Sequence, residues 1–142
     1  MDKNQQLLDF IYKNASMGVY GIKQTVCMAK SEDFKQVLEK QLEQYKAILT
    51  STKELYDKYA LQEKEPGFCK RFYACMMLNL ETTFNNTDSK LAELMLIGSN
   101  MGVIKATQNL KKYPDADEDI KNLMERLLQN EEYNVEELKK YL

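Results

Sequence analysis

Residues 94–108 read Leu-Met-Leu-Ile-Gly-Ser-Asn-Met-Gly-Val-Ile-Lys-Ala-Thr-Gln. The pattern predicts the middle of a long helix, in which Gly98, Gly102 and Ala106 recur every four residues and share one face. Small residues on one face of a helix allow a neighbouring backbone to come close. We therefore predict that these three residues are packing positions.

A similar phrase lies near the N-terminus, where Met17-Gly18-Val19 matches Met101-Gly102-Val103. The helix-turn-helix patterns that flank the two phrases also recur, which predicts two similar helical hairpins. A glycine inside a helix costs about 1 kcal/mol relative to alanine. We therefore interpret Gly18 as a notch for close packing, with a flexible hinge as the alternative.

The composition favours an all-α protein. The chain has 142 residues, enough to bury a real core, and it contains only five Gly and two Pro. Abundant Leu, Met, Lys, Glu and Gln favour helices over short strands and tight turns. We predict a single domain over residues 1–142, with helices at about residues 3–29, 32–61, 68–84, 88–112 and 117–141.

Four of these helices carry an inward stripe at three- and four-residue spacing, as helices of a bundle do. In the first helix the stripe is Leu8, Ile11, Ala15, Gly18, Ile22 and Thr25. In the second helix the stripe is Leu38, Leu42, Tyr45, Leu49, Thr52, Tyr56 and Tyr59. In the fourth it is Leu91, Leu94, Met95, Gly98, Met101 and Gly102. In the fifth it is Ile120, Met124, Leu127, Glu131, Asn134, Leu138 and Tyr141. We expect the tyrosine hydroxyls to reach a polar partner or the end of the bundle, rather than to be radical or ligand sites.

The third predicted helix, residues 68–84, is apolar almost all round, which predicts burial on more than one side. In a chain this small, a second subunit is the expected cover, and we predict a homo-oligomer. The apolar residues available for this contact are Phe72, Tyr73, Met76, Met77 and Leu80. The sequence identifies no other protein partner.

The charge pattern argues against nucleic acid and membrane partners. The net charge is −2 and the charged residues are interspersed, so there is no basic face for nucleic acid and no basic amphipathic segment for a membrane. We recognise no signal peptide and no membrane span. Cys27, Cys69 and Cys75 match no zinc or disulfide spacing, and we interpret them as free thiols of a cytoplasmic protein.

The sequence contains no histidine. The chain therefore lacks the commonest general base and the commonest metal ligand at neutral pH. Ser-His-Asp and Cys-His catalytic arrangements are impossible within it. We find no catalytic residues and predict no cofactor, so the sequence favours a protein that is not an enzyme.

Two antiparallel hairpins joined by a long connection resemble the ferritin-like superfamily, with residues 68–84 in the connection. The resemblance covers almost the whole chain as architecture, and the sequence is similar to small ferritin-like proteins of anaerobic Gram-positive bacteria. It implies a four-helix bundle. In active members, a Glu on each of two helices and Glu-x-x-His on each of the other two hold two irons.

The iron ligands of that superfamily are largely missing here. Glu131-x-x-Asn134 keeps the spacing of Glu-x-x-His but has Asn where the superfamily has His. The equivalent positions of the second helix are Tyr45 and Ile48, and the first and fourth helices lack the bridging Glu. One carboxylate cannot hold two metal ions, so we predict a degenerate metal site. Tyr45 should lie level with Gly18 and fill the space.

Glu131 and Asn134 are the remaining polar candidates for a site. A carboxylate in a bundle core is costly unless it is paired, and Lys105 or Asn100 could supply a donor. The favoured interpretation is a polar layer that fixes helix register, as buried polar residues do in coiled coils. An exposed stripe edge, and a ligand or residual metal site, are the alternatives.

These patterns favour a ferritin-like protein with a structural, self-associating or partner-binding role. The alternative is an oxidoreductase or metal-storage protein with an unusual carboxylate-only site, which stoichiometric iron or manganese would reveal. A structural protein like the ferritin-like spore-coat proteins is a further alternative, and it rests on fold analogy alone.

Overall fold

The computed structural model describes residues 2–63 and 87–142. These residues form four helices, α1 (Lys3–Val26), α2 (Glu32–Lys58), α3 (Asp88–Lys112) and α4 (Glu118–Lys139). α1 and α2 form one hairpin and α3 and α4 form the other, and the two hairpins pack together as an all-α four-helix bundle. The helix predicted at 68–84 lies outside the described residues, and so do its contact residues Phe72, Tyr73, Met76, Met77 and Leu80.

Local side-chain chemistry sets where the helices begin and end. Asp2, Ser31 and Thr87 each accept a hydrogen bond from a backbone N–H in the first turn of α1, α2 and α3. α1 ends at Val26, earlier than the predicted 29, and α2 ends at Lys58, earlier than the predicted 61. Beyond α2, Ala60 takes a φ of 50°, a left-handed conformation that commonly terminates a helix.

Side-chain contacts at both ends fix α4 antiparallel to α2. At one end, the Tyr59 hydroxyl donates to Asp119 at 2.5 Å, and Lys58 lies 2.6 Å from the same carboxylate. At the other end, the Tyr141 hydroxyl donates to Asp33 at 2.8 Å. The start of α2 therefore lies beside the end of α4, and the end of α2 lies beside the start of α4.

The start of α3 is tied to the turn between α1 and α2. The backbone N–H groups of Lys30 and Ser31 donate to the Asp88 carboxylate at 2.8 and 2.9 Å. α3 therefore runs antiparallel to α1 and parallel to α2. This order requires a long connection between the two hairpins, as in crossover four-helix bundles.

The core runs along the axis between the four helices. Its largest fully buried side chains are Tyr56, Phe34, Leu7, Leu8, Ile11, Ile22, Leu38, Ile48, Leu91, Ile120, Met124 and Leu127. The stripe predicted for α4 is confirmed from Ile120 to Leu138, whereas Tyr141 is half-buried. None of these four helices is long and apolar enough to cross a membrane.

The buried faces of α2 and α3 include most of the predicted stripe residues and differ from the prediction at single positions. In α2, Ile48 is fully buried while Leu49 is half-buried. In α3, Met101 was predicted to point inward and is 44% exposed. Successive residues of a helix are about 100° apart, so Met101 turns outward because its neighbour Gly102 is buried on the inner face.

Candidate functional site

The centre of the bundle contains a polar pair that links the two hairpins. Tyr45 in α2 is 4% exposed and Glu131 in α4 is 1% exposed. The Tyr45 hydroxyl donates a hydrogen bond to Glu131 Oε1. The hydroxyls of Tyr56 and Tyr59 also donate to carboxylates, so all three tyrosines of the α2 stripe reach a polar partner, as expected.

Two glycines make room for this pair. A Cβ at Gly18 of α1 would lie 2.6 Å from ring atoms of Tyr45, and a Cβ at Gly102 of α3 would lie 2.8 Å from Glu131 Oε2. Both distances are well below ordinary non-bonded contact. Gly18 therefore accommodates the tyrosine ring, and Gly102 accommodates the carboxylate.

Gly98 and Ala106, the other two small residues of the stretch 94–108, differ in their surroundings. A Cβ at Gly98 would meet nothing within 4 Å beyond its own helix, in the part of the chain that the structure describes. The packing role predicted for Gly98 therefore finds no contact partner among residues 2–63 and 87–142, and it stays a prediction. Ala106 is fully buried on the same helix.

Ser99 of α3 and Asn14 of α1 complete the surroundings of Glu131. Both side chains lie within hydrogen-bonding reach of its carboxylate. A cavity of about 40 Å³ lies beside them and is lined by Asn14, Met17, Ser99 and Glu131, among others. A bound water molecule needs roughly 10–15 Å³ of such space, so the cavity accommodates a few water molecules but no organic substrate.

The donors that the sequence offered for Glu131 are wrong. Lys105 and Asn100 are both exposed, because the inner face of α3 passes through Ser99 and Gly102. An exposed stripe edge at Glu131 is also wrong, since the carboxylate is buried. The structure supports the interpretation of a buried polar layer, with Tyr45 as its main donor.

Burial raises the pKa of Glu131 to about 7, because a carboxylate loses its hydration in the core. Hydrogen bonds from Tyr45, Ser99 and Asn14 act in the opposite direction. Burial, followed by the charge of Glu131, raises the pKa of Tyr45 well above its ordinary value, so the phenol remains neutral and donates. Glu131 therefore changes its charge close to neutral pH.

Two further polar side chains lie in the interface between α2 and α4. Asn134 is fully buried and Gln41 is nearly so, and neither amide has a hydrogen-bond partner among the described residues. The sequence analysis named Asn134 but missed Gln41, because the predicted inward stripe of α2 passed through its apolar neighbour Leu42. The four-residue spacing from Gln41 to Tyr45 was the signal that could have found it.

The donors at this centre suit hydrogen bonding and proton exchange. The polar groups are the Glu131 carboxylate, which accepts hydrogen bonds, the hydroxyls of Tyr45 and Ser99, and the amides of Asn14 and Asn134. Within residues 2–63 and 87–142, no group of three or more His, Cys, Asp and Glu side chains could hold a metal ion.

The sequence matches no protein-family profile, and no curated protein is detectably similar to it. Solved structures nevertheless share its architecture. YcfI from Rhodopseudomonas palustris, which has been proposed to be a structural protein, is 11% identical, with a TM-score of 0.83 over 100% of this chain and 96% of YcfI. Dps from Thermosynechococcus elongatus is 15% identical, with a TM-score of 0.76 over 97% of this chain and 88% of Dps.

A third similar structure is the dodecameric thioferritin of Bacteroides fragilis, a bacterioferritin-related protein. It is 10% identical, with a TM-score of 0.77 over 99% of this chain and 86% of that one. At such low identity the likeness establishes the fold alone. It agrees with the order of two antiparallel hairpins that the side-chain contacts fix, and the resemblance inferred from the sequence is confirmed at the level of fold. This protein has the ferritin-like fold, an all-α four-helix bundle of two antiparallel hairpins.

Proposed function

We propose that this protein is a ferritin-like bundle without a working di-iron site, and that its role is structural, through self-association or partner binding. The hydrogen bond from Tyr45 to Glu131 is the observation on which this rests. In this bond the neutral Tyr45 hydroxyl donates to the central carboxylate of Glu131. The Tyr45 ring packs against α1 at Gly18, and the Glu131 carboxylate packs against α3 at Gly102.

The donors at the centre do not fit a pair of iron ions. Active ferritin-like proteins supply a Glu from each of two helices and Glu-x-x-His from each of the other two. Here Asn134 stands where one His would be, and Tyr45 occupies the matching level of α2. A phenol with a raised pKa is a poor ligand at neutral pH. Glu131 alone cannot balance the charge of two irons.

Exposed apolar side chains support self-association. Tyr20, Ile97, Met101 and Ile104 are between 44% and 54% exposed. The last three recur at spacings of four and three on the outward face of α3. Contiguous apolar surface of this kind is typical of protein–protein contacts. The thioferritin with this fold is a dodecamer, and YcfI has been proposed to be structural.

Metal content tests the absence of a di-iron site. Protein purified from cells supplied with iron and manganese is expected to contain either metal far below one ion per chain. Glu131→Gln is expected to leave that content unchanged. Stoichiometric iron or manganese that depends on Glu131 would overturn this part of the proposal and favour the carboxylate-only metal protein.

Sedimentation at micromolar concentration tests self-association separately. A mass above that of one chain is the expected result. A monomer across the accessible concentration range would overturn self-association, whatever the metal analysis gives.

A further inference from the structure

The interface between α2 and α4 contains polar atoms that the described residues do not satisfy. Both amide atoms of Gln41 and both of Asn134 are buried without a hydrogen-bond partner in this part of the chain, and so is Oε1 of Gln44. Gln41 is 2% exposed and Asn134 is fully buried. In native proteins such groups almost always bind either protein or ordered water.

The register of the two helices places Gln41 and Asn134 at one level. Tyr45 meets Glu131 in the middle of the antiparallel pair. Gln41 lies one turn from Tyr45 toward the start of α2, and Asn134 lies about one turn from Glu131 toward the end of α4. Asn134 is near enough to the Tyr45 hydroxyl to lower its pKa, although the geometry between them does not make a hydrogen bond.

A surface groove lies at the same level, between α2 and α4. It has a volume of about 170 Å³, and Gln41 and Gln44 line it together with Lys40, Tyr133 and Glu137. The Lys40 ammonium lies 5.5 Å from the centre of the Tyr133 ring. The groove therefore has polar and charged walls, and it is large enough for several water molecules. Gln41 borders the groove and the buried interface at once.

We propose that Gln41 and Asn134 form a buried water-binding site that connects the Tyr45–Glu131 pair to the groove between α2 and α4. Each amide offers two N–H donors and one carbonyl acceptor. A bound water between the helices accepts from an amide N–H of each residue and donates to the amide oxygen of each. The four unpaired amide atoms then have partners, and the polar centre is hydrated from the α2–α4 face.

This site gives the buried carboxyl of Glu131 a route for proton exchange with solvent. Asn134 lies beside the Tyr45 hydroxyl, so water at the amide level reaches the Glu131 carboxyl through the Tyr45 hydroxyl that is bonded to it. The groups that face it are Asn14 on α1, Tyr45 on α2 and Ser99 on α3, of which Tyr45 is titratable.

The charged groups of the groove lie beyond the two amides. Asp33, Lys40 and Glu137 line the groove, and none of the three is among the groups named as shifting the pKa of Glu131. On the α2–α4 side, the solvation of Glu131 therefore depends on the amides of Gln41 and Asn134 and the water that they bind, rather than on a nearby charged side chain.

A matched pair of variants tests the water site. Gln41→Leu removes the buried amide with little change in volume, and Gln36→Leu makes the same change at an exposed position of the same groove. A high-resolution crystal structure of the wild type is expected to show water bonded to both Gln41 and Asn134. The same density is expected to be absent from Gln41→Leu and present in Gln36→Leu.

The titration of Glu131 supplies a second readout. Carboxyl NMR signals, assigned with Glu131→Gln, are expected to give a midpoint about one pH unit higher in Gln41→Leu than in the wild type, because the carboxylate loses part of its solvation. Gln36→Leu should leave the midpoint unchanged.

Two results would overturn the proposal. The first is a direct amide–amide pair between Gln41 and Asn134 with no bound water. The second is an unchanged Glu131 midpoint in folded Gln41→Leu. If Gln41→Leu does not fold, the wild-type crystal structure and the presence or absence of water-to-Asn134 NMR cross-peaks decide the question.

Discussion

A buried carboxylate costs free energy unless its oxygens receive strong donors, and at Glu131 the donors are a phenol, a hydroxyl and an amide. None of these groups carries a positive charge. Ionisation of Glu131 in the folded protein therefore remains less favourable than in water, and its pKa rises to about 7 from the ordinary 4.5. The stability of the bundle must then depend on pH.

Glu131→Gln is expected to make the protein more stable than the wild type above neutral pH. The folded pKa is raised, so the stability that the protonated carboxyl contributes is complete below about pH 4.5 and is lost as pH rises to about 7. Gln cannot ionise and loses nothing. At about 1.4 kcal/mol per pKa unit, a rise in pKa from 4.5 to about 7 makes the advantage at most about 3.5 kcal/mol. Chemical denaturation at about pH 4 and about pH 8 measures it.

The neighbouring Glu132→Gln is the matched control, because Glu132 is exposed. Its unfolding free energy should follow the wild type at every pH. Parallel profiles for the wild type and Glu131→Gln would show that Glu131 titrates at its ordinary value.

Tyr45→Phe tests the hydrogen bond without disturbing the ring that lies over Gly18. Loss of the hydroxyl leaves the carboxylate of Glu131 with fewer donors, so the free energy of unfolding should fall by about 1–3 kcal/mol at pH 7. The Tyr45 hydrogen bond lowers the pKa of Glu131, so the loss should be larger at about pH 8 than at about pH 5. Denaturation at both pH values, with Tyr113→Phe as control, measures this; an equal loss at both would indicate packing alone.

At the scale of the helices, the glycines of α1 and α3 offer identical substitutions with opposite expected results. Alanine is favoured over glycine in a helix by about 1 kcal/mol, and a Cβ at Gly98 would meet nothing within 4 Å among the described residues. Gly98→Ala should therefore raise the melting temperature. At Gly18 the Cβ would lie 2.6 Å from the Tyr45 ring, so Gly18→Ala should destabilise the protein by about 1–3 kcal/mol. Equal shifts in thermal melting would contradict the close packing at Gly18.

The helices themselves could be predicted because their signals are local. The stripe of α4 and the cap at Ser31 depend on residues within a few turns of one another. The buried face of α2 could not be predicted fully, because it depends on where α4 lies. Leu42 is more apolar than Gln41, yet Gln41 is buried and Leu42 only half-buried, and Ile48 is likewise more buried than its neighbour Leu49.

The candidate site could likewise be predicted where it depends on contacts within one hairpin, and could not be predicted where it depends on contacts between the two hairpins. Counting residues from a hairpin turn placed Tyr45 at the level of Gly18, since both belong to one hairpin. The bond from Tyr45 to Glu131 joins different hairpins, and its register depends on how the hairpins pack together. Glu131 and Ser99 lie in one hairpin, and the choice of Asn100 as a donor was wrong by one residue, about 100° around α3, because Ser99 is buried on the inner face and Asn100 is exposed.

At the scale of the whole molecule, the two sides that join the hairpins differ in character. The α2–α4 side is joined by side-chain hydrogen bonds near both ends and at the centre, through Tyr59, Tyr45 and Tyr141. The α1–α3 side presents exposed apolar residues on α3, including Ile97 and Ile104. Polar groups suit register within the chain, and apolar surface suits contact with another chain, so we expect association through the α1–α3 side.

Ile104→Lys is expected to weaken self-association by about tenfold or more, because a lysine in an apolar contact must be desolvated. Ile104 is more than half exposed in the single chain, so the melting temperature of the monomer should change little. Sedimentation over a concentration series measures the effect. Gln129→Lys adds the same charge at an exposed position of α4 and should leave association intact. If Ile104→Lys associates like the wild type, the contact lies away from the outward face of α3, and residues 68–84 become the segment to test.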